Sequence, residues 1–73
     1  MPETIRVLIA EDQSLVRGAL VALLETEPDI SVVAQCATGA EVAGLVAKHG
    51  VDVALLDIEM PGKSGLEAVS YTH

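Results

Sequence analysis

The chain has almost no aromatic residues: no Trp, no Phe and a single Tyr, Tyr71, in 73 residues. A hydrophobic core must therefore be assembled from Leu, Val, Ile and Ala. Basic residues are nearly as scarce, four Lys plus Arg against eleven Asp plus Glu, for a net charge of −7. Direct nucleic-acid binding needs clustered Lys and Arg, so this charge balance argues against it and is compatible with a cation site. There is one cysteine, Cys36, which rules out an intrachain disulfide and suits a reducing compartment. No apolar run reaches the length of a membrane span. Met1-Pro2-Glu3-Thr4 lacks the basic start of a signal peptide. The expected location is the cytoplasm, and no membrane contact is expected. At this length the chain makes one small domain, which buries only about 60% of its unfolded surface.

What is present is a repeated alternation of apolar strands and amphipathic helices. Ile5 to Ala10 is apolar apart from Arg6, reads as a buried strand, and ends in two adjacent carboxylates, Glu11 and Asp12. From Ser14 to about Glu25, Leu15, Val16, Ala19, Leu20, Leu23 and Leu24 share one face of a 3.6-residue period and predict a helix with that face in the core. Pro28 and Asp29 close it. Ile30 to Ala34 is a second, β-branched strand, with Cys36 near its end as a small buried hydrophobe. Thr38-Gly39-Ala40-Glu41 has the form of a capping box and predicts a second helix. Val42, Leu45, Val46 and His49 are assigned to its inner face and Gly50 to the position just past its end.

The third strand is the most informative stretch. Val51, Val53, Ala54, Leu55 and Leu56 are nearly continuous apolar residues that stop at Asp57, followed by a turn at Pro61-Gly62. Such a run suits a strand buried on both faces of a parallel sheet. Ser64-Gly65-Leu66-Glu67 is a second capping box, which predicts a third helix beginning at Ser64. The β-α-β-α-β-α order implies parallel strands. If the first and third strands are neighbours, Glu11, Asp12 and Asp57 converge at one edge of the sheet, where open α/β sheets bind ligands. Carboxylates that close repel unless a cation sits among them. Mg²⁺ suits such a site, because it takes one or two carboxylates plus waters and phosphate oxygens. A carboxylate beside Mg²⁺ can also act as a nucleophile and form an aspartyl phosphate.

The run from Val7 to Asp12, followed by Val53 through Gly65 with its D-x-x-M-P-G-x-x-G pattern, resembles the receiver domain of bacterial two-component response regulators. It is similar in flavour to regulators with a LuxR-type helix-turn-helix output domain. The resemblance implies a flavodoxin-like (CheY-like) α/β fold, a parallel sheet with helices on both faces. Here residues 1–73 would supply its first three βα units, with strand order 2-1-3. It implies Asp57 as phosphoacceptor, Asp12 as direct Mg²⁺ ligand, Glu11 as the acidic residue acting through water, and Glu59 as a metal ligand through its main-chain carbonyl. It implies a sensor histidine kinase as partner, and an activity limited to phosphotransfer onto Asp57 and its hydrolysis. The family's strand-four Thr or Ser and strand-five Lys have no counterpart here, and Lys63 is read as a solvated turn residue. The expectation is therefore the N-terminal portion of a receiver, without the rest of that domain or a DNA-binding domain. Its third strand would have an unpaired edge prone to dimerisation or other self-association. Two further readings stand beside this one: a non-switching fragment serving as an interaction module, and a phosphatase of the haloacid-dehalogenase type. The second fits less well, because Glu59 stands where that class has Asp.

Overall fold

The computed structural model describes residues 4–60 and 63–70, with side chains for 4–57, 69 and 70. Strand β1 (Ile5–Ala10) leads to helix α1 (Ser14–Leu24), strand β2 (Ile30–Cys36), a single 3₁₀ turn at Gly39–Glu41, helix α2 (Val42–His49), and strands β3 (Val53–Met60) and β4 (Lys63–Ser70). The sheet order is β2-β1-β3-β4. β1 lies parallel to both β2 and β3, in register Val7 with Val32 and Val7 with Val53. The expected 2-1-3 arrangement is therefore present.

The β-branched and aliphatic residues of β1 occupy the centre of this sheet, and Leu8 and Ile9 are fully buried. Side chains alternate between faces along a strand. Leu8, Ala10 and Ala54 form a cluster with Cys36, Val42 and Val51, against which Leu45 and Val46 of α2 pack. Val7 and Ile9 point to the opposite face, and α1 contacts β1 and β2. The two helices thus cover the two faces of the sheet.

The C-terminus of α2 is secured from a distance. Gly50 ends the helix in the left-handed conformation, φ 62°, as its position past the last helical residue predicts. The Arg6 guanidinium donates to the carbonyl of His49 through Nη2 at 2.6 Å and Nε at 3.0 Å, and to that of Gly50 at 3.2 Å. These are carbonyls that a helix end leaves without intrahelical donors. The backbone N–H of Arg6 donates to Asp52 Oδ2 at 3.0 Å, and the N–H of Asp52 returns a bond to the Arg6 carbonyl at 2.8 Å. The one polar residue in the first strand is thus the fastener that sets α2 and β3 against β1. At the other end of α2 the capping box forms in altered shape. Thr38 Oγ1 bonds the Glu41 carboxylate at 3.1 Å rather than a backbone amide, and the 3₁₀ turn intervenes before the helix proper.

Three sequence expectations are corrected. The helix predicted from Ser64 is strand β4, antiparallel to β3 from Val53 opposite Ser70 to Met60 opposite Lys63. Strand pairing along the whole edge of β3 outcompetes a single capping box, which stabilises one helix end by only about 1 kcal/mol. For the same reason β3 does not stop at Leu56 with an open edge. It runs to Met60 and that edge is taken by β4, so the basis for self-association through strand three is removed. The inner face of α1 is also rotated from the expected one. Arg17, Leu20, Val21 and Leu24 are the half-buried residues, whereas Leu15 is 86% and Leu23 67% exposed. Apolar residues lie on several sides of this helix, so periodicity alone does not choose among them. The Pro61-Gly62 turn, Tyr71 and His73, and the side chains of Met60 and Lys63, lie outside the described residues.

Two glycines give opposite expectations. Gly50→Ala should destabilise the fold by about 1 kcal/mol, because a Cβ is strained at positive φ, its nearest other neighbour being Arg6 Nε at an ordinary 3.9 Å. Gly44→Ala, within α2 and with nothing within 4 Å of the added Cβ, should stabilise by about 0.5–1 kcal/mol. Urea unfolding of the two variants measures both.

Candidate functional site

The backbone places three of the four expected site residues at one end of the central strands. Glu11 directly follows β1, and its N–H continues the ladder by donating to the Cys36 carbonyl at 2.9 Å. Its side chain turns inward and is only 2% exposed. Asp12, one residue later, is exposed in a bend. Asp57 is half-buried and is the first residue of β3 beyond the β1 pairing, which ends at Ala10 opposite Leu56. It is thus at the end of the parallel part of the sheet although β3 itself continues. Glu59 lies further along β3, opposite Ser64, and its side chain is outside those described.

Burying a carboxylate beside another is unfavourable for the charged form. The Glu11 carboxyl is pushed up from 4.5 to about 7, chiefly by the neighbouring Asp57 carboxyl, then by burial and by Asp12. Its Oε2 has no hydrogen-bond partner among the described residues. An orphaned, buried, acceptor-only oxygen is costly unless a proton or a cation completes it.

Arg17 was not singled out from sequence, and it shapes this corner. Its guanidinium donates to the Glu11 carbonyl at 2.7 Å, tying α1 to the turn that aims Glu11 inward. The signal available was scarcity: it is one of four basic residues. Cys36 is a buried free thiol whose Sγ donates to the Thr38 carbonyl at 3.4 Å. Burial is the largest cause raising its pKa, which suits an inert core residue. A cavity of about 500 Å³ also lies beside Asp57, lined by Ala10, Thr38, Val42, Val46 and Leu56 among others.

The donor chemistry here is all oxygen and anionic, and Oε2 of Glu11 lacks a partner among the described residues, so the residues fit a hard cation such as Mg²⁺. Among the described residues no three His, Cys, Asp or Glu side chains stand in a metal-holding arrangement. An ion here would complete its shell with water and phosphate oxygens, which is the usual habit of Mg²⁺.

Comparisons with known proteins point to one family. The family model described as the response regulator receiver domain matches residues 7–72. The chain is 50% identical over 64 residues to the transcriptional regulatory protein DesR of Bacillus subtilis, covering 88% of the chain and 32% of that protein. It is 48% identical over 65 residues to the transcriptional regulatory protein BtsR of Salmonella typhi, covering 89% of the chain and 27% of that protein. The signal receiver domain of the response regulator NarL from Mycobacterium tuberculosis superposes with a TM-score of 0.74 at 39% identity, over 88% of the chain and 52% of that domain structure. The chain thus spans between a quarter and a third of the length of these curated relatives.

The raised pKa of Glu11 fixes a pH dependence. Glu11 binds its proton more tightly folded, at about 7, than at its ordinary 4.5. Its contribution is therefore fully favourable below 4.5 and is lost as pH rises through 7. Without divalent ions, the melting temperature of the wild type should fall between these two pH values relative to Glu11→Gln. Parallel curves for the two proteins would show that Glu11 is already satisfied.

Proposed function

The chain belongs to the response regulator receiver family, and from that premise we propose that it accepts a phosphoryl group on Asp57 in a cytoplasmic two-component pathway. The supporting observation is the placement of Glu11 and Asp57 at the end of the parallel strands, with Glu11 Oε2 buried and unpartnered among the described residues. The donor would be a sensor histidine kinase or a small acyl phosphate. The longer relatives are named as transcriptional regulators, so the expected output is control of transcription through a DNA-binding portion. With a net charge of −7, these residues themselves are poor material for a DNA contact.

In this reading an Asp57 carboxylate oxygen attacks phosphorus, the bond from phosphorus to the donor's leaving oxygen or nitrogen breaks, and that atom departs with the electron pair. The half-buried setting of Asp57 leaves one side open to the donor while the sheet holds its orientation. Mg²⁺, held by Asp12 and Asp57 with Glu11 behind them and the Glu59 carbonyl as a further ligand, would neutralise charge on the transferring group. Arg17 fixes the backbone of Glu11 and thereby the spacing of the acidic pair. Glu11, whose carboxyl is pushed up to about 7 by Asp57 and burial, would give up its proton where a cation is bound.

Incubation with acetyl phosphate and Mg²⁺, followed by intact-mass analysis and peptide mapping, tests this directly. The wild type should carry one phosphoryl group, on Asp57. Asp57→Ala should carry none, and Asp12→Asn should be labelled at least about tenfold more slowly, as expected when a directly coordinating charge is removed. Equal labelling of Asp57→Ala would sink the assignment.

A further inference from the structure

Glu11, Asp12 and Gln13 join β1 to α1, and Arg17 holds that turn at both ends. Its backbone N–H donates to the Gln13 carbonyl at 2.9 Å, the bond that opens the helix. Its guanidinium Nη1 donates to the Glu11 carbonyl at 2.7 Å. Asp12 lies between these two carbonyls, exposed and in a bend. The Glu11 carbonyl belongs to the peptide plane that joins Glu11 to Asp12. Holding that plane fixes ψ of Glu11 and φ of Asp12, and with them the directions in which the two side chains leave the backbone. On its other side, the Glu11 N–H is committed to the Cys36 carbonyl at 2.9 Å. The guanidinium is therefore the removable part of the clamp, because the other bonds run from backbone to backbone.

On charge alone a guanidinium is out of place here. Of the four basic residues, Arg6 is bound to the His49 and Gly50 carbonyls at the opposite end of β1, and Lys48 lies in the last turn of α2. Arg17 sits at the acidic end, where burial raises the Cys36 thiol pKa and the Arg17 charge pulls against that rise. A fixed cation repels an incoming one. Its hydrogen bond acts the other way. It holds Glu11 and Asp12 in place before the ion arrives, so less freedom is lost on binding, and groups that orient metal ligands raise affinity substantially. Repulsion at an exposed carboxylate is screened by water and salt, whereas the hydrogen bond is not, so positioning outweighs charge.

We propose that Arg17 is a positioning residue for the cation site: by holding the Glu11–Asp12 peptide it raises Mg²⁺ affinity although it carries a positive charge itself. This rests on the phosphoacceptor and Mg²⁺ reading of Glu11, Asp12 and Asp57. Because the clamp reaches out from α1, a shift of that helix along the sheet alters ion affinity without touching an acidic residue.

The experiment uses the whole chain and three substitutions. Arg17→Met keeps an unbranched stem for packing and removes the donors and the charge. Arg17→Gln does the same with a polar side chain. Arg6→Met, at the opposite end of the sheet, is the control for lost stability alone. Titration with MgCl₂, followed by backbone amide NMR shifts, gives the Mg²⁺ affinity of each folded protein. Acetyl phosphate then reports the labelling rate of Asp57 at limiting and at saturating Mg²⁺. The proposal expects the Mg²⁺ Kd to rise about tenfold in both Arg17 variants and to keep its wild-type value in Arg6→Met. It expects their labelling to be slowed at limiting Mg²⁺ and largely recovered at saturation, where the ion itself orders the turn. Should Arg17→Met not fold, Arg17→Gln carries the test. Charge alone requires the reverse sign, so unchanged or tighter Mg²⁺ binding in a folded Arg17 variant overturns the positioning role and leaves Asp57 as acceptor. An equal loss of affinity in Arg6→Met, or a slowing that saturating Mg²⁺ does not recover, overturns it as well. A wild type that neither binds Mg²⁺ nor is labelled on Asp57 overturns the phosphoacceptor reading and the role of Arg17 together.

Discussion

Glu11 is carried into the end of the sheet by a backbone that has no freedom to place it elsewhere. Its N–H is the last rung between β1 and β2, and its carbonyl is held by Arg17. The carboxyl that follows is buried against Asp57, with one oxygen unpartnered among the described residues. Folding thus forces together two like-charged groups. An arrangement of this kind is unfavourable for stability and useful for chemistry, because whatever relieves it, a proton or a cation, binds there preferentially. The aliphatic core beneath, centred on fully buried Leu8 and Ile9, offsets the cost.

The parts of this arrangement that could be read from sequence are those set by local composition. Ile5–Ala10 is apolar enough to be central, and Gly50 is at the position where left-handed backbone is needed. The acidic pair at the end of the first strand and Asp57 at the end of the parallel pairing follow from strand adjacency. Family likeness supports the same 2-1-3 order. Arg6 looked like an interruption of an apolar strand. Its purpose is visible only once His49 and Gly50 are brought against it from more than forty residues away, and no local pattern encodes such a contact.

The misreadings share a cause. The Ser64 capping box and the α1 stripe are both local signals, and each competes with a non-local one. For residues 63–70, the competitor is the free edge of β3, whose backbone groups gain more from a continuous ladder than a short helix gains from its cap. For α1, the competitor is the docking of Arg17 and Leu24 toward the sheet, which turns Leu15 outward although its spacing fits an inner face. In both, the residue pattern permits more than one answer and the tertiary setting selects.

The central claim is that Glu11 and Asp57 are held together so that the pair demands a proton or a cation. The direct measurement is a titration of the Glu11 side-chain carboxyl carbon by NMR, with and without Mg²⁺. The account predicts a metal-free midpoint near 7, moved downward when Mg²⁺ is added. A metal-free midpoint at the ordinary 4.5, unmoved by Mg²⁺, would contradict it.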